Sequence, residues 1–79
     1  MPRFYFHLIN DMDVPDDEGQ DLPDLAAARA VAVLQARALI GETAKDQARV
    51  VLHHRIDIED EAGAVLDKVV FRDVVSVED

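Results

Sequence analysis

Seven carboxylates, Asp11, Asp13, Asp16, Asp17, Glu18, Asp21 and Asp24, fall within fourteen residues near the start of the chain. Oxygen ligands at that density are the raw material of a Ca²⁺ or Mg²⁺ site. The spacing fails the EF-hand pattern, however. With Asp11 as the first ligand, the position that needs glycine holds Asp16 and the position that needs a bidentate Glu holds Leu22. A solvated acidic loop with no metal and no cofactor is therefore expected.

The histidines are His7, His53 and His54. His53 and His54 are adjacent, so an extended backbone points them to opposite faces, and a zinc site would need partners from elsewhere in the chain. His7 lies in an apolar, aromatic stretch. An imidazole hydrogen-bonded on an open sheet face or against a neighbouring strand is the plain expectation, and a pH-sensitive interface is the sharper one, because imidazole titrates near neutrality. Covalent catalysis has little to work with. There is no Cys, Ser76 and Thr43 are the only hydroxyls besides Tyr5, and no glycine-rich phosphate loop is present. No catalytic residue is expected, and a weak metal-dependent enzyme is kept only as an alternative.

These residues must be placed by the elements around them, and the long segment over residues 22–42, LPDLAAARAVAVLQARALIGE, organises the rest. Asp24 can accept from the free N–H groups of a first helical turn, and Pro23 discourages an earlier start. Ala, Leu, Arg and Gln then carry high helix propensity. At 100° per residue, Leu25, Ala28, Ala32, Ala36, Leu39 and Ile40 share one face, the expected core face. The end is expected between Gly41, a possible C-cap, and Asp46. Val31, Leu34 and Ala38, with Ala27 and Ala30 beside them, fall roughly opposite the core face, where a soluble monomer usually carries charge. Two readings stand side by side: scattered exposed apolar side chains, or a stripe covered by a partner or a second copy.

RFYFHLI over residues 3–9 reads as a strand, with Phe4, Phe6 and Leu8 inward and Tyr5, His7 and Ile9 on the other face. A short returning strand is expected near residues 19–22. RIDIEDE over residues 55–61 alternates cleanly, placing Ile56 and Ile58 inward. Gly63 suits a positive-φ turn, and AVLDKVVFR over residues 64–72 is the partner strand, with Val65, Val69 and Phe71 on one parity. Asp67 shares that parity, which calls for a bulge or an edge position. The fold class expected is α+β: a three- to four-stranded antiparallel sheet with one long helix packed on one face, in the order β-β-α-β-β, forming one small domain over residues 1–79.

Seventeen acidic residues against eight basic ones give a formal charge of −9, which repels phosphate backbones and anionic lipid. Nucleic acid and membrane are thus not expected partners; the chain itself, as a homodimer, or another protein is. The absence of Cys and of any long apolar run, together with an N-terminus unlike a signal peptide, points to a cytoplasmic protein. A hydrophobic content of 49% places the acidity on a folded surface.

RFYFH at the start, DDEGQDLPDL closing the acidic connection, the AAARA helix and RIDIEDEAGAVL followed by VVF together resemble a bacterial family of short uncharacterised proteins. The resemblance covers nearly the whole chain, is anchored on Phe6, His7, Gly19, Pro23, Leu25, Ala28 and Gly63, and implies no activity, cofactor or catalytic residue. The chain departs from the family in carrying apolar Val31 and Leu34 where charged or polar residues stand. The segment LPDL and the element order also resemble an antitoxin family whose small domain covers a ribonuclease toxin; the separate DNA-binding segment of such antitoxins has no counterpart here. The functional expectation is a small acidic interaction or regulatory module that self-associates, with an antitoxin-like role as the alternative. Val31, Leu34, Ala38 and Ala27 on the helix, and Tyr5 and His7 on the sheet, are the candidate interface residues.

Overall fold

The computed structural model describes residues 1–78. Strand β1 (Arg3–Ile9) is followed by two short strands, β2 (Asp13–Val14) and β3 (Gln20–Asp21), then helix α1 (Leu25–Gln47), strands β4 (Arg55–Glu59) and β5 (Val65–Val70), and a 3₁₀ turn (Phe71–Asp73). The strands form one five-stranded antiparallel sheet in the order β2-β1-β4-β5, with β3 also paired to β1. This is the expected α+β arrangement. The connection between β1 and the helix contributes a further short strand, β2, beside the expected β3.

The helix begins as expected. Asp24 has extended backbone and its carboxylate accepts from the Ala27 N–H at 2.8 Å. It runs past Gly41 and ends one residue beyond the expected range, with Ala48 in the left-handed conformation at φ 53°. Ala44, Lys45 and Gln47 are good helix formers and outweigh the single glycine.

Ala28, Ala32 and Ala36 are fully buried in a row along the helix, facing Phe4, Phe6, Ile56, Ile58, Val69 and Phe71. Residues four apart stack along one ridge, and methyl-sized side chains bring the helix backbone close to the sheet. The bulk of the core therefore comes from the strands. Leu39 and Ile40 pack against its margin, as expected for the core face. Leu25 does not: it is exposed on the first turn, and Leu22, before the cap, packs against the core instead. Val31 and Val33 flank the alanine row on either side and also touch the core, so the apolar face of the helix is broader than periodicity alone places it.

Strand β4 is central, pairing Tyr5 with Glu59 through Ile9 with Arg55 on one side and β5 on the other. A bulge between Ile58 and Glu59 shifts the register so that Ile58 meets Asp67 while Glu59 meets Val65. Asp67 thus keeps the core parity, but it lies on an edge strand and forms a 2.8 Å ion pair with Arg29 of the helix. Both devices anticipated for this residue occur. The bulge takes Val65 off the core side, and β5 ends at Val70 because Phe71 turns into the 3₁₀ segment, its N–H donating to the His54 carbonyl at 2.8 Å.

Strand β4 also ends sooner than its alternation implies. Asp60 leaves the ladder to make the turn, its carboxylate accepting from the N–H groups of Ala62 and Ala64 at 2.9 Å each, and Gly63 takes φ 85°.

Candidate functional site

The acidic connection has a structural task. Strand β1 is paired along its outer edge by β2 at Leu8 and Ile9 and by β3 at Arg3 and Phe4, which leaves the middle of that edge without a strand. Asp16 fills the gap. Its Oδ2 accepts from the Phe6 N–H at 3.1 Å, its Oδ1 accepts from the N–H groups of Glu18 and Gly19 at 3.1 Å each, and its own N–H donates to His7 Nδ1 at 2.9 Å. Burial opposes ionisation of Asp16. The amides of Gly19, Phe6 and Glu18 outweigh it and hold the carboxyl below its ordinary value.

Gly19, at φ 71°, passes so close to β1 that an added Cβ would lie 2.9 Å from the Phe4 carbonyl oxygen. Arg3 bridges the same loop, pairing with Asp21 at 3.1 Å. Asp24 caps the helix. Asp16, Asp21 and Asp24 thus turn to three separate partners.

Because Nδ1 of His7 accepts, the ring carries its proton on Nε2, which faces Glu59 Oε2 at 3.4 Å. Tyr5 lies parallel to it with ring centroids 6.5 Å apart. Both side chains sit on the sheet face that the helix does not cover, together with Ile9, Val70, and Asp57, which is 7% exposed and paired with Arg55 at 2.8 Å. A shallow hollow of about 270 Å³ opens on this face between His7, Ile9, Asp13, Val14, Pro15 and Glu59.

The helix back is less apolar than its sequence reads. Val31 packs on the core, Ala27 is half-buried, and Ala30 and Ala38 are exposed. Leu34, 65% exposed, is the one large apolar side chain projecting from that side.

A second grouping joins parts of the chain that sequence spacing keeps far apart. The β1–β2 turn spans residues 10–12, closed by Asn10 Oδ1 accepting from the Met12 N–H at 2.9 Å, and Asp11 stands at its tip. The antiparallel register that pairs Ile9 with Arg55, extended two residues past the strand end, carries Asp11 to His53 and His54. A turn at Leu52 and His53 breaks the alternation of an extended chain, so the two adjacent histidines lie on one side, their rings edge to face at 5.0 Å. One nitrogen or oxygen from each of Asp11, His53 and His54 lies within 4.8 Å of the others.

No curated protein and no solved structure matches the chain. Among the described residues, no helix is long and apolar enough to cross a membrane. The model of a family described as a domain of unknown function, DUF6894, matches residues 3–72, and the chain belongs to that family.

Proposed function

We propose that this protein is a small, acidic interaction module that acts without catalysis in the cytoplasm and self-associates through the sheet face opposite its helix. The observation carrying this reading is the one-sided cover of the sheet. The helix seals one face, while the other presents Tyr5, His7, Ile9 and Val70 beside a hollow rimmed by Val14 and Pro15. That uncovered face is mixed, with Tyr5, Ile9 and Val70 around the charged Arg55, Asp57, Glu59 and Lys68; its apolar part gains from a second layer, and a domain of 79 residues gains more than a large one because its own core is small. The helix back is the lesser candidate surface. With Val31 drawn into the core, Leu34 stands among Ala27, Ala30 and Ala38 with little further area to offer. The absence of Cys supports the cytoplasmic part of the reading.

Sedimentation at tens of micromolar tests the proposal. The expected result is a mass above the monomer for the wild type, a shift to a folded monomer for Ile9→Lys, whose residue lies on the open face and lines the hollow, and little change for Leu34→Lys. Each buried aliphatic side chain contributes about 1.5–3 kcal/mol before the costs of association. A wild type that remains monomeric, or an oligomer that Ile9→Lys leaves intact, refutes the sheet-face interface.

A further inference from the structure

We propose that Asp11, His53 and His54 form a binding site for a first-row divalent transition metal of the Zn²⁺ type. The ligand set is the first argument. Two imidazoles and one carboxylate suit Zn²⁺ and its neighbours, whereas Ca²⁺ and Mg²⁺ take oxygen donors.

The second argument is His54 itself. Its side chain is 14% exposed, and its Nε2 is fully buried with no hydrogen-bond partner. Asp11 Oδ1 lies 3.5 Å away, beyond the usual length of an N–H···O hydrogen bond, and makes none to it. A buried imidazole nitrogen without a partner loses its hydration for no return, and a metal ion at this position would restore the missing bond. It is the buried side-chain nitrogen or oxygen left in this condition among the described residues.

The third argument is geometric. Tetrahedral Zn²⁺ with bonds of about 2.0–2.1 Å holds its ligand atoms about 3.3 Å apart, so closure from the 4.8 Å spread needs movements of at most about 1.5 Å. His54 does not have to move. Phe71 meets its ring edge to face at 5.8 Å, and its backbone is tied by Phe71 N–H to the His54 carbonyl and by Arg72 N–H to the Leu52 carbonyl. Asp11 and His53 are exposed on turns and supply the adjustment. Arg49, 4.0 Å from the other Asp11 oxygen, is also exposed and free to swing aside.

Beside the cluster lies a cavity of about 140 Å³ whose lining includes Asn10, Thr43 and Gln47. Three protein ligands would leave a fourth coordination position for water or for a donor from a bound molecule. The metal would join the tip of the β1–β2 turn to the segment that enters β4.

Titration calorimetry on the full chain, freed of any histidine tag, tests the site with ZnCl₂ and MgCl₂. The expected result is one equivalent of Zn²⁺ bound and no comparable binding of Mg²⁺. Asp11→Asn and His53→Ala are each expected to weaken Zn²⁺ at least about tenfold, the loss that removal even of supporting residues around a metal brings. Both residues are exposed, so circular dichroism should show the variants folded; His54→Ala also removes a packed ring from Phe71 and is the less clean change. No Zn²⁺ binding by the wild type, or binding that survives both substitutions unchanged, overturns the assignment. Mg²⁺ binding as tight as Zn²⁺ would move the cation to the acidic connection and overturn it as well.

Discussion

Asp16→Asn is expected to destabilise the fold in a way that depends on pH with a defined sign. The carboxylate receives three N–H groups, from Phe6, Glu18 and Gly19, on two oxygens. A carboxamide has one acceptor oxygen, so either the Phe6 amide or the Glu18 and Gly19 pair is left facing a second donor. Hydrogen bonds to a charged acceptor contribute about 1.5–3 kcal/mol each. The Glu18 amide is exposed and water can replace the carboxylate there, while those of Phe6 and Gly19 are half-buried. A loss of about 1–3 kcal/mol at neutral pH follows.

A carboxyl whose pKa is lowered by folding stabilises the native state fully above its unfolded value, near 3.8, and that contribution is lost as pH falls through the lower folded value. The wild-type advantage over Asp16→Asn should therefore be constant from neutrality down to about pH 5 and shrink below about pH 4. Urea unfolding of the two proteins in parallel, followed by circular dichroism, measures the difference directly. Equal midpoints at neutral pH, or a gap that stays constant into strong acid, would refute the assignment of Asp16 as the group that completes the edge of β1.

Two further substitutions probe the backbone. Gly41 lies inside the helix with open space where a Cβ would be, so Gly41→Ala should stabilise by about 0.5–1 kcal/mol and raise the melting temperature; an unchanged or lower melting temperature would contradict a helix continuing through this residue. Gly19→Ala should cost at least about 2 kcal/mol, combining positive φ with a contact against the Phe4 carbonyl, and a variant that melts with the wild type would show that the loop does not lie against β1 as described.

Periodicity made much of this architecture readable. Alternation placed Phe4, Phe6, Ile56 and Ile58 inward, the Asp24 cap located the start of the helix, and Gly63 marked the β4–β5 turn. What stayed hidden depends on pairing. The helical wheel put Val31 opposite the core because it assumed a narrow contact stripe, whereas the alanine row lets the sheet come close enough to touch residues on both flanks. Asp16 was one acid among seven until the gap between β2 and β3 was known. Asp11 and the histidines, separated by some forty residues, become neighbours only through the register of β1 against β4. The dipeptide HH was visible from the start, but alternation sent its rings apart, and the turn at residues 52–53 was not legible without the anchoring of Leu52 and His54 to the 3₁₀ segment.

The buried row of Ala28, Ala32 and Ala36 acts as a spacer that sets the distance between the two layers of the molecule. Such a spacer responds asymmetrically to change. Trimming a methyl removes little buried surface, but each added carbon must either push the helix outward or displace an aromatic ring of Phe4, Phe6 or Phe71. Lifting the helix would also draw Arg29 away from Asp67 and Arg37 away from the Val74 carbonyl, which it now reaches at 3.3 Å. The smallest side chains in the core thus impose its strictest upper limit on size.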